Sequence, residues 1–215
     1  MTTKPTTKKT VAKKAPVKKS GAKKATRSGD AATLARLHER LVAQAAEADL
    51  LDIACRTVDS PFGSLLVAAT PVGIVRVAFE CEDHDSVLDA LAATVSPRIL
   101  AAPRRLDGVA RELNEYFAGR RREFDLAVDL RLVRGFRRSV IEHLTDIEFG
   151  TTATYSQLAA LAGSPAAVRA AGSACANNPV PIVVPCHRVV RSDGSVGQYL
   201  GGTEAKQSLL RLEAA

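Results

Sequence analysis

The sequence predicts an α/β N-terminal domain followed by a mostly helical C-terminal domain with a helix-turn-helix of winged-helix character, both behind a disordered basic tail. Residues 56–80 read as a β-hairpin, with an apolar strand over 65–69 and apolar and polar side chains alternating around Arg76 over 74–79, and helical periodicities follow. Between 156 and 176 two short helical stretches meet at Gly163, as in a helix-turn-helix. Charge is also segregated. Residues 1–30 hold nine Lys and Arg27 against Asp30, a net of +9, while the rest of the chain holds 20 basic and 22 acidic residues.

Residues 1–30 are Lys, Thr, Ala, Pro and Ser, with Lys pairs recurring from Lys8-Lys9 to Lys23-Lys24. Such a segment buries too little surface to offset its chain entropy and is expected to be disordered, either as an arm for a polyanion or as a solubilising tail. Residues 31–50 read as an extra amphipathic helix. Leu34, Leu37, Leu41, Ala45 and Ala48 recur at spacings of three and four, and this stripe is expected to dock on the first domain. A small supporting α/β domain is expected over 51–126. Its hairpin has 57–63 approaching a turn, a strand over 65–69, Val72-Gly73 in the next turn and a returning strand over 74–79. Helices follow over 86–94 and 107–118. The second turns Leu113, Tyr116 and Phe117 inward and stops at Gly119.

The second domain is expected over 127–215. It opens with a helix over 132–144 that repeats Phe136, Val140 and Leu144 on one face, then a turn at 147–151. A helix over 156–162 ends at Gly163. Ser164 suits an N-cap and Pro165 the first position of a helix running to about Ala176. That helix is small-sided (Ala166, Ala167, Ala170, Ala171, Gly172, Ser173, Ala174), and Arg169 is its single long cation. Cys175 reads there as a small apolar residue. Val183 and Val184 before Pro185 read as a buried strand ending in a turn that presents Cys186. Ala205, Leu209 and Leu212 form the stripe of a last helix, which would turn Glu213 inward.

The 46% hydrophobic content suffices for a sizeable core. No apolar run approaches the ~20 residues of a membrane span, and no secretory signal is expected. Cys55, Cys81, Cys175 and Cys186 form no disulfide or CxxC pattern and are expected to stay reduced in the cytosol. Cys81 and His84 are conceivable metal ligands, but two ligands do not close a zinc site, so no metal is expected.

Cys186 stands directly beside His187. A thiolate is a strong nucleophile, a free thiol is mostly protonated at neutral pH, and a histidine in reach can take the proton while a third group orients it. An isolated Cys–His pair is more often a structural cysteine with a chance neighbour. The flanks reverse that reading. They are Tyr155-Ser156-Gln157-Leu158-Ala159, then Ser164-Pro165-Ala166-Ala167-Val168-Arg169-Ala170-Ala171-Gly172, then Asn178-Pro179-Val180-Pro181-Ile182, and finally Gly197-Gln198-Tyr199-Leu200-Gly201-Gly202. With Pro185-Cys186-His187-Arg188-Val189 they closely resemble the O6-alkylguanine-DNA alkyltransferases, strongly over 149–213 and more weakly over 57–124.

The resemblance implies a single-turnover DNA repair protein. It would transfer the alkyl group of O6-alkylguanine, and of O4-alkylthymine, to Cys186 after flipping the base from the minor groove. His187, oriented by Glu213, would draw the thiol proton through a water. Tyr155 would promote flipping and donate to the guanine ring. Arg169 would hold the gap left in the stack, an ordinary phosphate contact being the alternative, with Ala167, Ala170 and Ser173 beside it. Asn178 would be a hinge. Pro181, Val189, Gly197, Tyr199, Leu200 and Gly201 would line the substrate pocket, with the carbonyls of Cys186 and Val189 reading the exocyclic amine. The implied partner is double-stranded DNA carrying alkylated guanine, bound by a monomer without cofactor or membrane, in the cytoplasm at the nucleoid. In that setting the tail 1–30 reads as an arm for DNA phosphates. Two departures stand out: Val133-Arg134-Gly135-Phe136-Arg137 where the family usually has Thr-Pro-Phe-Gln, and Leu200 where many members have Ser. A non-enzymatic sensor of alkylated DNA would lack Cys186, and a transcription regulator would leave the Cys–His pair unexplained.

Overall fold

The structure is a computed structural model and describes residues 28–214. The Lys-rich segment lies outside the described residues except for its last three positions. Helix α1 (Ser28–Glu47) begins before the expected 31–50 and ends earlier. Leu34, Leu37 and Leu41, expected to be covered, are exposed. Val42 and Ala45 pack partly buried against the core instead, and His38 Nε2 bonds the Ala101 carbonyl. Positions 38, 42 and 45 share a helix face.

Strands β1 (Ile53–Ser60), β2 (Gly63–Ala69), β3 (Ile74–Phe79) and β4 (Ile99–Ala101) form one sheet in the order β3-β2-β1-β4. β1–β2 and β2–β3 are antiparallel, and β4 lies parallel to β1 with Ile53 opposite Ile99. Residues 57–60, expected to approach a turn, are the polar-faced end of β1: Thr57 pairs with Leu66 and Ser60 with Gly63. The turn itself is Pro61-Phe62. Ser60 Oγ closes it by donating to the Gly63 carbonyl at 2.6 Å, and Gly63 adopts φ +92°. β4, three residues long, is too short to show a period.

Helix α2 (His84–Thr94) places Val87 and Leu91 against Ile53, Leu66, Ala68, Val75 and Ala78. Helix α3 (Asp107–Phe117) lies in the other apolar cluster, with Val109, Leu113 and Tyr116 among Val58, Leu65, Val67 and Phe79. Gly119 stops it at φ +68°. That second cluster continues without a break into Val140, Leu144, Leu158, Ala171, Val184, Cys186 and Leu209.

In the C-terminal half, α4 spans Gly135–His143, three residues short of the expected start. Arg134 is extended and Gly135 has φ +55°, so the chain cannot turn into a helix sooner; Leu130–Leu132 is a separate 3₁₀ turn. β5 (Ala153–Thr154) runs parallel to β6 (Val189–Val190). Helix α5 (Tyr155–Leu161) opens on a capping box in which Gln157 N–H donates to Thr154 Oγ1 at 3.2 Å and Thr154 N–H to Gln157 Oε1 at 2.7 Å. Helix α6 (Val168–Ala176) starts later than expected, with no side-chain cap. Ser164-Pro165-Ala166-Ala167 is instead a tight turn closed by Ala167 N–H to the Ser164 carbonyl at 2.9 Å. Pro after Ser favours that turn as well as a helix start, and the turn wins. Helix α7 spans Gly202–Glu213.

Candidate active site and nucleic-acid interface

No strand precedes Cys186. Pro179, Pro181 and Pro185 instead force residues 178–185 into a compact turn, with a bridge between Pro181 and Val184 and Val184 N–H bonded to the Val180 carbonyl at 2.9 Å. Ile182, 1% exposed, sits at φ +75°, a costly conformation for a β-branched residue that the surrounding packing holds. Asn178, fully buried, clips both limbs of this turn: Nδ2 donates to the Val184 carbonyl at 2.8 Å, and Oδ1 accepts from Val180 N–H at 3.0 Å. Cys186–Arg188 then make one 3₁₀ turn into β6.

Cys186 is 2% exposed. Burial pushes its thiol up to about 11, against opposing effects of Asn178 and the Lys206 charge, so it rests as a neutral thiol. His187 is fully buried, and burial lowers its pKa against the pull of Glu213. Its Nε2 lies 2.8 Å from Glu213 Oε1, while its buried Nδ1 has no hydrogen-bond partner among the described residues. For Glu213, burial favours the neutral form, but hydrogen bonds from His187, Arg188 and Tyr116 outweigh it and hold the carboxyl at about 2. An ionised carboxylate only accepts, so Nε2 carries the proton and Nδ1 presents its lone pair. The 3₁₀ turn thus carries a neutral imidazole and, at the preceding residue, an uncharged thiol.

Glu213, from the last turn of α7, is 4% exposed. Arg188 Nε donates to its Oε2 at 2.8 Å and Arg188 Nη2 to its Oε1 at 3.0 Å; Arg188 Nη1 holds the Ile147 carbonyl. The Tyr116 hydroxyl donates to Oε1 at 2.7 Å. Sequence reasoning assigned no role to Arg188, though it stands inside the quoted motif, and took Tyr116 as core alone. It also missed Lys206, 1% exposed, whose Nζ donates to the Val189 carbonyl and lies 5.8 Å from the centre of the Tyr155 ring. Positions 206, 209 and 213 share one face of α7, so the helical period could have flagged this lysine. The Val189 carbonyl, expected to read the substrate, is thus already bonded on one side.

Tyr155, half-buried, meets the loop over the site. A Cβ on Gly197 would lie 2.6 Å from the Tyr155 hydroxyl, so only glycine lets the backbone cross there. Tyr199 packs edge-on against Phe79 at 5.6 Å and His187 at 6.3 Å, and its buried hydroxyl has no partner among the described residues. Gly201 lets the loop pass the Phe79 ring, which a Cβ would meet at 2.6 Å. Leu200 is half-buried, and its carbonyl accepts from the exposed Cys81 thiol at 3.5 Å. Pro181 and Val189 are buried. On α6, Ala171, Ala174 and Cys175 face inward. Arg169, Ala170 and Ser173 are exposed and Ala167 is half-buried, leaving a low surface with one cation. The structure thus gathers Cys186, His187, Glu213, Asn178, Tyr155, Val189 and Tyr199 around one centre, with Arg169 on the outer helix face.

Residues 135–215 match the family described as 6-O-methylguanine DNA methyltransferase, DNA binding domain, and residues 53–130 match its ribonuclease-like domain. The chain is 39% identical over 158 residues to a protein of Mycolicibacterium paratuberculosis named methylated-DNA–protein-cysteine methyltransferase, covering 74% of this chain and 90% of that protein. A Homo sapiens protein of the same name is 38% identical over 163 residues, covering 73% of this chain and 78% of that protein. The fold is similar to the crystal structure of Mycobacterium tuberculosis OGT in complex with DNA, with a TM-score of 0.65 and 35% identity over 75% of this chain and 92% of that one.

Proposed function

The chain belongs to the 6-O-methylguanine DNA methyltransferase family, and on that premise we propose that it moves the alkyl group of O6-alkylguanine, and of O4-alkylthymine, onto its own Cys186. It is a methylated-DNA–protein-cysteine methyltransferase, and its alkyl transfer repairs DNA. The observation that carries the assignment of residues is the buried His187–Glu213 pair, which leaves the His187 Nδ1 lone pair unpartnered among the described residues, one residue along the chain from the Cys186 thiol.

The Cys186 proton passes through water to Nδ1, and Glu213 balances the imidazolium that forms. The sulfur attacks the alkyl carbon. The C–S bond forms as the C–O6 bond breaks, and the bonding pair leaves with guanine. Tyr155 donates to the ring as that charge develops. The buried, unpartnered Tyr199 hydroxyl supports a polar ligand in the pocket with Pro181, Val189, Gly197, Leu200 and Gly201, while Asn178 holds the turn. Nothing in the scheme restores the thiol, so each molecule reacts once. Incubation with a methylated duplex followed by intact-mass measurement tests this reading: the protein should gain ~14 Da, one methyl for one hydrogen, on the nucleophile. An unchanged mass rejects it.

A base inside a duplex must be flipped out before such chemistry, at a cost of a few kcal/mol. The low outer face of α6, with Ala167, Ala170 and Ser173, suits the minor-groove floor, and Arg169 would fill the vacated stack. Arg169→Ala and Tyr155→Phe should therefore slow transfer from duplex far more than from free O6-alkylguanine. Equal slowing on both substrates would place these residues in folding or chemistry instead.

The net +9 of residues 1–30 faces a remainder of net −2, so the tail is read as an arm on DNA phosphates. With about half its charges engaged at ~0.9 per contact, a protein beginning at Ala31 should bind duplex with a log K–log salt slope flatter by roughly 4. Parallel salt titrations would make the tail merely solubilising. Binding as a monomer, in the cytoplasm at the nucleoid, completes the proposal.

A further inference from the structure

Tyr116 reaches the buried carboxylate from the first half of the chain. It stands in the last turn of α3, 1% exposed, its ring packed against Phe117, Phe124 and Phe149. Its hydroxyl donates to Glu213 Oε1 at 2.7 Å and lies 3.4 Å from His187 Nε2. Oε1 is the oxygen that also accepts the His187 proton. The phenol and the imidazole therefore share one acceptor, and a change in either donor alters the charge the other meets.

We propose that Tyr116 is a positioning residue for alkyl transfer: acting through Glu213, it sets the orientation and basicity of His187. The proposal rests on the Cys186–His187–Glu213 reading given above. It makes the α/β half a contributor to the reaction rather than only a scaffold. No atom is transferred to or from Tyr116. Its hydroxyl takes up part of the negative charge on Oε1 and pins the carboxylate in the plane that His187 needs. Without that donor Oε1 carries more charge, so His187 holds a proton more tightly and the neutral base is lost at a higher pH. The carboxylate is also less well held, so the plateau rate falls.

The test is single-turnover transfer from a methylated duplex, measured against pH for the unmodified protein, Tyr116→Phe, Glu213→Gln and the double variant. Tyr116→Phe keeps the ring packing and removes only the donor. Its acid limb should move up by about half a unit to one unit, and its plateau should fall about threefold to tenfold, the worth of one hydrogen bond. In the Glu213→Gln background the same substitution should change the rate less than about twofold, because coupled residues are not additive. A 3-fluorotyrosine at 116, a stronger donor, should move the limb the opposite way. This second variant keeps the ring and the hydroxyl, so it reports even if the phenylalanine variant folds poorly. An unmoved limb in both Tyr116 variants, or full additivity with Glu213→Gln, overturns the proposal. Slow transfer in Glu213→Gln with silent Tyr116 variants overturns this role alone. An unchanged rate in Glu213→Gln overturns the relay and this role together.

Discussion

Cys186→Ala is expected to abolish alkyl transfer completely while duplex binding persists. The thiol is 2% exposed and packed in the main apolar cluster, so the substitution removes one sulfur and leaves the outer face of α6 untouched. No other thiol is placed to replace it. Burial pushes Cys175 up to about 12, and the 3₁₀ turn that carries Cys186 and His187 does not include it. Cys55 is buried in the sheet, and burial raises its pKa as well. Cys81 is exposed and donates to the Leu200 carbonyl. The measurement pairs intact mass with a duplex-binding titration. Residual transfer, or a methyl mapped to Cys175, would remove Cys186 from its role. Lost transfer together with lost binding would show only that the turn had collapsed.

The second large effect is at Glu213. Glu213→Gln should destabilise the fold by about 3–5 kcal/mol, the range for breaking a buried ion pair, because it leaves the Arg188 guanidinium uncompensated. It should also slow transfer by about 100-fold or more, since His187 loses the charge that balances its protonated form. The pH dependence of stability in the unmodified protein follows from the same pair. Glu213 is depressed from 4.5 to about 2, so its contribution of about 3 kcal/mol is present above pH 4.5 and lost as pH falls toward 2. His187 is also depressed, from 6.5, and an unfolded histidine binds a proton that the folded one refuses; stability therefore begins to fall below pH 6.5. Both groups act in the same direction. Thermal melting from pH 8 to 3 should show a decline that Glu213→Gln flattens below pH 4.5. A mutant curve parallel to the unmodified one would refute the assigned coupling.

Much of the site was legible because its residues are near one another in the chain or share a helical face. Cys186 and His187 are neighbours, and Leu209 and Leu212 predicted that α7 turns Glu213 inward. The Tyr116–Glu213 bond was not legible, because its partners are 97 positions apart and no local period records such a contact. The false starts have local causes. Asp59 and Ser60 are turn-forming residues that here face solvent at a strand end. Ser164-Pro165 satisfies the rules for a helix start and for a reverse turn equally, and tertiary packing chose the turn. The leucines of α1 obey the helical period yet are exposed, and periodicity alone does not say what a stripe packs on. Asn178, expected as a hinge tying the second helix to the active-site segment, holds the turn before Cys186 through two backbone bonds.

The apolar cluster that runs from Val58 and Leu65 through Tyr116 to Cys186 and Leu209 has a consequence for how the chain comes apart. Neither half closes its own interior. Separating the sheet from α4–α7 would expose shared side chains on both sides and strand Glu213 without its phenol. The two halves therefore form one cooperative folding unit despite being recognised as two families of sequence, and heat or denaturant should act on them together. A substitution deep in the sheet would be felt at the thiol as a change in how often the whole ensemble opens.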